Sequence, residues 1–225
     1  MKKTKTIFAI IMMASIAFLS TNNLKSQEEE GSAVSAGFDL YSTYVWRGVA
    51  YGGPSLQPYV DFTTGGFSVG AWGSQSYDGG QEMDLYLSYG FDFGLSLGLT
   101  DYYYPGTPYF EFSDSLGAHG FELNLGYEIS GFSIGANYML NEAGGAGTAG
   151  GDMYFELGYA LGAVDLFVGA GDGWHTSDGE FAVCNVGLGT SKDIKVTESF
   201  TIPLSGSVIL NPETEQFYIV AGLSF

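Results

Sequence analysis

The nine residues FELNLGYEI, at positions 121–129, alternate between apolar and polar side chains. Every odd position is apolar, and every even position is polar or glycine. Because successive side chains of a strand point to opposite faces, this period of two predicts a β-strand with one apolar face. MDLYLSYGFD (83–92) and DMYFELGYAL (152–161) repeat the pattern, so the strand is the recurring unit of the chain.

Twelve stretches are predicted as strands, and glycine-rich or polar connections separate them. They lie at 35–46, 56–63, 66–74, 82–92, 94–103, 119–129, 132–141, 152–161, 163–171, 180–189, 199–210 and 216–225. The connections alternate between tight turns and longer loops, which is typical of outer-membrane barrels. We therefore predict an all-β fold over residues 34–225, an antiparallel transmembrane β-barrel of twelve strands, with ten strands as the alternative.

The N-terminus has the layout of a secretory signal peptide. Three lysines within the first five residues precede the apolar run 7–19, which is shorter than the roughly 20 residues that a membrane-spanning helix needs. We predict a signal peptide at 1–26 and a short tail at 27–33. The mature chain is then expected in the outer membrane of a Gram-negative bacterium, in contact with outer-membrane lipid.

The charge balance argues against nucleic acid as a partner. The chain has 25 acidic residues against 7 Lys and Arg, a formal net charge of −18. Beyond the predicted signal peptide, only Arg47, Lys192 and Lys195 are basic, whereas phosphate backbones are bound by clusters of Lys and Arg. Cys184 is the only cysteine, so no internal disulfide is expected. No cofactor or metal is predicted.

Two features of the strand ends favour a membrane barrel over a soluble sandwich. Aromatic residues cluster there, as in the girdles at membrane interfaces: Tyr41, Tyr44, Trp46, Tyr102, Tyr103, Tyr104 and Tyr138. The chain also stops on an alternating strand whose last residue is Phe225. A terminal aromatic of this kind resembles the signal that outer-membrane assembly machinery recognises, so that machinery is a predicted partner.

Three segments near the N-terminus resemble the opening of the TorF family of predicted porins, also described as Gcw-type proteins of unknown function. The segments are Tyr44-Val-Trp-Arg-Gly48, Pro54-Ser-Leu-Gln57 and Gly66-Phe-Ser-Val-Gly-Ala-Trp-Gly-Ser74. Within them, the motif residues are Tyr44, Trp46, Arg47, Gly48, Gln57, Gly70 and Trp72. The resemblance implies an outer-membrane barrel that acts as a pore, and it does not identify the solute.

Arg47 is the only basic residue between Lys25 and Lys192. On the first predicted strand, Phe38, Leu40 and Trp46 share the apolar parity, which we expect to face lipid. Arg47 shares the other parity with Asp39, Tyr41 and Thr43, and this parity is expected to face the lumen. A lipid-facing arginine would cost about 2 to 4 kcal/mol at mid-depth, so we expect Arg47 inside, near Asp39, Asp61, Glu82 or Asp84. It would either form a structural ion pair that orders the first loop or tune ion passage at a constriction.

Further acids on the inward parity are Asp92, Glu122, Glu128, Asp152, Glu156 and Asp165. They indicate either a solvated polar face or a negative lumen that favours cations. The sequence thus predicts a porin that passes small solutes or ions, with a non-conducting structural or adhesive barrel as the alternative. A lipid hydrolase would need Ser115 and His119 as nucleophile and base, but their spacing does not secure a catalytic arrangement, and no enzyme is predicted.

Overall fold

A computed structural model describes residues 32–198 and 200–225. The predicted signal peptide and most of the predicted tail lie outside these residues, and the first strand begins at Ser32. Within the described ranges, no helix has the length and apolar character needed to cross a membrane.

Twelve strands of the described chain form one closed antiparallel barrel. They are β1 (Ser32–Tyr41), β4 (Ser55–Thr64), β5 (Phe67–Ser76), β6 (Gln81–Gly90), β7 (Leu95–Tyr103), β8 (His119–Ile129), β9 (Phe132–Met139), β10 (Met153–Leu161), β11 (Val164–Gly171), β12 (Ala182–Lys195), β13 (Thr201–Asn211) and β14 (Gln216–Ser224). Each strand pairs with its neighbour around the barrel, and β1 also pairs with β14. The predicted all-β barrel of twelve strands is therefore confirmed.

The first and last strands close the barrel through the C-terminal residue. Asp39 is in register with Ser224. One residue beyond, the backbones of Phe38 and Phe225 exchange two N–H···O hydrogen bonds of 3.0 Å. Their rings stack with centroids 5.0 Å apart. The terminal aromatic is thus part of the seam itself, on the outer face of the barrel.

The outer face is apolar around the whole barrel. Large side chains on the outward parity are widely exposed, including Leu85 at 50%, Leu157 at 55% and Ile219 at 72%. Soluble monomers rarely expose contiguous apolar patches larger than a few hundred Å², whereas a transmembrane barrel presents such a band to lipid. The period of two therefore carries apolar side chains outward and polar side chains into the lumen.

The two rims differ in their connections. One rim carries the short turns at 65–66, 91–94, 130–131, 162–163 and 196–200. The other carries four long loops, at 42–54, 104–118, 140–152 and 172–181, together with two four-residue connections at 77–80 and 212–215. We call them the short-turn rim and the long-loop rim. Ser32 pairs with Thr64, so the described chain begins at the short-turn rim.

The hairpin of β12 and β13 is longer than the periodicity predicts. β12 continues to Lys195, which pairs with Thr201, whereas the predicted strand ends at 189. Residues 190–195 read TSKDIK. Because most of these side chains are polar, the alternation of apolar residues does not reveal that the strand continues. Strand pairing with β13 holds this segment extended.

The main departure from the predicted architecture is a hairpin inside the lumen. The first predicted strand, 35–46, ends instead at Tyr41, and a separate two-stranded sheet follows: β2 (Tyr44–Trp46) and β3 (Val49–Gly52). The two-residue turn between them, Arg47 and Gly48, has φ of 50° and 83°, as a tight hairpin turn requires. β2 is buried throughout, so the hairpin occupies the lumen, whereas the sequence pattern predicts β2 as part of the first wall strand and 47–55 as a loose outer loop.

Candidate functional site in the barrel lumen

Arg47, at the tip of the hairpin, is bound across the lumen by Glu122 of β8. Nη1 donates to Oε1 at 2.6 Å, and Nη2 donates to Oε2 at 2.9 Å. The side chains are 7% and 1% exposed. Two parallel charge-assisted hydrogen bonds between planar groups give both energy and fixed orientation. This pair therefore fixes the hairpin tip to the opposite barrel wall.

Aromatic rings enclose the guanidinium group on two faces. Its Cζ lies 4.3 Å from the ring centroid of Trp46 and 4.5 Å from that of Tyr154, within the range of cation–π attraction. Nη1 also lies 3.4 Å from Nε2 of His175, in the outer loop between β11 and β12. Burial, and then the positive charge of Arg47, lower the pKa of His175 to about 2. The ring is therefore neutral at physiological pH and can accept from Arg47.

Glu122 has further donors of its own. Tyr102 donates its hydroxyl to Oε2 at 3.0 Å, and Asn124 donates through Nδ2 at 2.7 Å. Asn124 also bonds to Thr100 of β7 and Asn137 of β9. The Arg47 pair is thus the centre of a hydrogen-bonded network on three adjacent strands. The sequence did not identify Tyr102, Asn124, Tyr154 or His175 as neighbours of Arg47. The inward parity of the first three was an available signal, whereas His175 lies in a loop and has no strand parity.

The prediction that Arg47 contacts Asp39, Asp61, Glu82 or Asp84 is corrected by this geometry. It assumed that the first strand runs straight to Arg47, near the strands that carry those acids. The hairpin instead leaves the wall after Tyr41 and brings Arg47 to β8. The other acids have other neighbours: Glu82 accepts from Tyr44 at 2.7 Å, and Asp61 accepts from Tyr86.

Several residues predicted for interface girdles line the lumen instead. Trp46 is 5% exposed and packs with Tyr44, Tyr102 and Met139; Tyr51, Trp72, Tyr104 and Trp174 surround this cluster. Tyr41 packs in the lumen against Val45, Ile209 and Val220. The assignment of Trp46 to lipid is therefore wrong, because the hairpin needs an apolar core of its own. Tyr138, at 46% exposed, does lie on the outer face.

Among the residues of the N-terminal motif, Gly48 has the tightest steric requirement. A Cβ at Gly48 would come 1.9 Å from the backbone oxygen of Cys184. The carbonyl of Gly48 accepts a hydrogen bond from Asn211 Nδ2 at 3.1 Å. Tyr44 contacts Trp72 edge-on at 5.7 Å. The structure thus brings these motif residues together around the hairpin.

Two other motif residues belong to the barrel wall. Gln57 is 1% exposed and donates to Ser55 at 3.0 Å. At Gly70, a Cβ would come 2.5 Å from Asp61 Oδ1 and from Tyr86 Oη. The wall beneath the hairpin is therefore closely packed at Gly70.

A row of inward polar side chains, which we call the acidic wall, crosses β1, β4, β5 and β6. It consists of Asp39, Gln57, Ser74, Glu82 and Asp84. Asp39 is in register with Gln57, and Ser74 is in register with Glu82. All five are at most 7% exposed. Within the described residues, four of their oxygens have no hydrogen-bond partner: Asp39 Oδ1, Gln57 Oε1, Ser74 Oγ and Asp84 Oδ1.

The remaining predicted lumen acids occupy different depths. Glu156 accepts from Tyr154 at 2.5 Å and from Asn185 at 3.0 Å, and Asp152 accepts from Thr148 at 2.9 Å. Glu128 is half-buried near the short-turn rim. Asp92 lies exposed in the turn after β6 rather than on the lumen wall, because β6 ends at Gly90.

A cavity of about 140 Å³ extends beneath the hairpin. Arg47 and Val45 line its upper end, and Gly131 and Ala160 line it near the short-turn rim. Asp165 is also part of its lining. The lumen is therefore packed with side chains in its long-loop half and contains free space in its short-turn half.

His119, considered above as a base, lies outside the lumen. Its Nδ1 is 2.9 Å from Asp101 Oδ1, and its Nε2 is 2.5 Å from the backbone oxygen of Tyr109. Both ring nitrogens have oxygen partners, so this ring is not placed as a base for Ser115. Across the described ranges, no group of three or more His, Cys, Asp or Glu residues could hold a metal ion.

Comparisons with known proteins add only distant likeness. No family model matches the chain, and no curated protein matches it; the TorF resemblance therefore stays a prediction. Among solved structures, a triple variant of Rhodopseudomonas blastica porin aligns at 16% identity and a TM-score of 0.41. A double variant aligns at 16% identity and 0.42. Both alignments cover 87% of this chain and 73% of the porin chain. The fold assignment rests on the strand pairing of this chain.

Proposed function

We propose that this protein is an outer-membrane barrel that passes small cations, with the hairpin of β2 and β3 as its constriction. The observation that carries the proposal is the acidic wall, where buried oxygens without partners face a lumen. Carboxylate, amide and hydroxyl oxygens are suitable ligands for a cation that has lost part of its water.

The membrane location follows from the outer surface. The exposed apolar side chains on every barrel strand would be unfavourable in water and suit a hydrocarbon layer. In this proposal, residues 1–26 direct export and are then removed. Phe225, at the seam with β1, is presented to the assembly machinery. Deleting it is expected to reduce the amount of barrel inserted.

The charge pattern of the lumen favours cations. Arg47 is the one basic residue in the long-loop half of the lumen among the described residues, and Glu122 neutralises it. Asp39, Glu82 and Asp84 have no basic partner within the described chain. A lumen lined by one sign of charge raises the local concentration of the opposite ion. Anions would meet the opposite effect.

A specific observation also supports a second candidate, a non-conducting barrel. Trp46, Arg47 and Glu122 are all nearly inaccessible, so the hairpin blocks much of the long-loop half. Such a barrel would act through its outer loops. The two candidates differ in whether the hairpin leaves or opens a path beside the acidic wall.

Single-channel recording in a planar bilayer separates these candidates. We expect small conductance steps and a reversal potential, across a KCl gradient, that shows cation preference. Replacing both Asp39 and Asp84 by Asn should lower that preference, whereas Glu215→Gln, in an exposed outer turn, should leave it unchanged. Folded protein that inserts but gives no conductance steps would reject the pore and favour the closed barrel.

A further inference from the structure

The loop at 104–118 folds back over the outside of the barrel. Its Phe112 and Tyr109 rings pack on His119 with centroid distances of 4.7 and 4.8 Å. Tyr109 also packs on Tyr103 at 5.1 Å. A Cβ at the next residue, Gly120, would approach the lumen residues Trp174 and Met139. Because neighbouring residues of a strand point to opposite faces, His119 faces outward. The loop therefore covers the outer ends of β7 and β8.

Beneath the loop lies a polar pair on the lipid-facing side of the wall. Asp101 has the same outward parity as Leu97 and Leu99. Its carboxylate is 2.9 Å from His119, and the two side chains are 17% and 1% exposed. A carboxylate in direct contact with lipid would be unfavourable. Cover by His119 and the loop removes Asp101 from that contact.

The loop is held in place by its own backbone and by the next outer loop. Ala118 N–H donates to the Glu111 carbonyl at 3.0 Å, and Gly117 N–H donates to that of Ser113 at 2.6 Å. Gly144, in the loop at 140–152, donates to the Asp114 carbonyl at 2.8 Å. These bonds fix which side of the loop points away from the protein.

That outer side is apolar. Phe110 is 84% exposed, Leu116 64%, Phe112 59% and Tyr109 44%. We call these four residues the loop patch. On the other side of the covered His119 lie the exposed outward residues of β8, Leu123 at 46% and Leu125 at 41%. The loop patch continues this row of apolar side chains. The loop patch is therefore the upper edge of the same apolar band that surrounds the barrel.

We propose that the loop patch is an interfacial anchor, inserted between the headgroups and acyl chains of the outer leaflet. Its occupant is lipid, because it continues the lipid-facing surface and because aromatic side chains favour this boundary. A second copy of the chain is the less suitable occupant. The patch is interrupted by the acids Glu111 and Asp114, and the chain as a whole carries a net charge of −18, so two copies repel each other.

The proposal rests on the membrane location proposed above, but it does not require the lumen to conduct. The test uses the full chain in phosphatidylcholine liposomes that contain nitroxide-labelled lipid, with Cys184→Ala to remove the native thiol. A polarity-sensitive fluorophore is attached at Phe110→Cys. Matched controls carry the same fluorophore at Leu157→Cys, on the outer barrel face, and at Glu180→Cys, in an exposed outer loop.

We expect the lipid nitroxide to quench the fluorophore at 110 and at 157, with at least about twofold greater loss than at 180. If 157 is quenched and 110 behaves like 180, the loop lies in water and the anchor is rejected while the membrane barrel stands. If 157 is not quenched either, both the anchor and the membrane location are rejected. Disulfide-linked dimers of unlabelled Phe110→Cys, without quenching of the labelled protein, would assign the patch to a second copy and overturn the lipid proposal.

Discussion

Two hydrogen-bonded carboxylates at the long-loop end of the barrel are surrounded by aromatic rings, one inside the wall and one outside. Arg47 and Glu122 lie between Trp46 and Tyr154 in the lumen. His119 and Asp101 lie beneath Tyr109 on the outer face. In both cases a loop folds back on the wall and covers a carboxylate. In the inner pair, the permanently charged guanidinium of Arg47 makes two parallel hydrogen bonds, and the packed lumen orients it. In the outer pair, the partner is the planar ring of His119, which packs among aromatic residues.

The comparison shows how a regular wall can position two irregular segments. Glu122 and Asp101 belong to adjacent strands, β8 and β7, and point to opposite faces. Strand geometry alone sets this difference, since successive side chains alternate. The loop that reaches each carboxylate, inward from β1 or outward from β7, then decides what covers it. The loop also brings Arg47 to Glu122, whereas the partner of Asp101, His119, is the first residue of β8.

The largest effect is expected from Glu122→Gln. The guanidinium of Arg47 would remain buried without its carboxylate, and breaking a buried pair in this way typically costs about 3 to 5 kcal/mol. Water in the lumen would bring the loss toward the lower end of that range. Urea unfolding of protein folded into liposomes measures the change in the free energy of unfolding.

The control for this prediction is the double variant Arg47→Met with Glu122→Gln. Removing both charges should recover much of the lost stability, because no buried charge is left unpaired. If the single variant is as stable as the wild type, the inner pair does not fix the hairpin. In a conducting barrel, Glu122→Gln should also weaken cation preference, whereas Arg47→Met alone should strengthen it.

Gly48→Ala should have the next largest effect. The added Cβ would overlap the carbonyl of Cys184, and φ at this residue is +83°. The hairpin tip would have to shift, and we expect a loss of about 2 kcal/mol or more in the free energy of unfolding. Gly65→Ala is the matched control, with φ of +58° but no heavy atom within 4 Å of the added Cβ. Equal losses in the two variants would mean that the hairpin tip is not held against β12.

Asp101→Asn should have a smaller effect on stability and none on conductance. It weakens the hydrogen bond to His119, for which a loss of about 1 to 2 kcal/mol is typical. Because Asp101 lies outside the lumen, current through the barrel should not change. A changed cation preference in this variant would remove the distinction between the inner and outer pairs.

The sequence predicted the wall well because the wall obeys a local rule. The predicted strand 119–129 coincides with β8, and the alternation already placed Glu122 in the lumen. The hairpin escaped prediction because the aromatic residues of β2 continue the period of β1, and a period cannot distinguish a strand that continues from one that turns inward. The local signal was Arg47-Gly48 between two short β-prone segments, which is compatible with a tight turn.

The sequence could not identify Glu122 as the partner of Arg47 for a different reason. It depends on how far the hairpin crosses the closed barrel, which is a property of many strands together. The fate of the loop at 104–118 has the same origin. Its aromatic residues could pack in the lumen or on the outer face, and their contacts with the outward side chains of Tyr103 and His119 select the second.

The smallest expected effect concerns pH and the ring beside Arg47. His175 remains neutral in the folded protein, since its pKa is lowered to about 2, whereas its ordinary value is 6.5. Below pH 6.5 the unfolded chain therefore binds a proton at this residue that the folded chain does not, so stability falls as the pH is lowered. Between pH 7.5 and 5.5, this residue alone should remove about 1 kcal/mol from the free energy of unfolding.

His175→Gln lacks this contribution, and the difference between the variant and the wild type cancels the titration of the carboxylates that both share. The free energy of unfolding of the wild type minus that of the variant, measured by urea unfolding, should therefore fall by about 1 kcal/mol between pH 7.5 and pH 5.5. Parallel pH dependences would mean that His175 takes up a proton as readily in the folded as in the unfolded chain, which would contradict its placement against the Arg47 guanidinium.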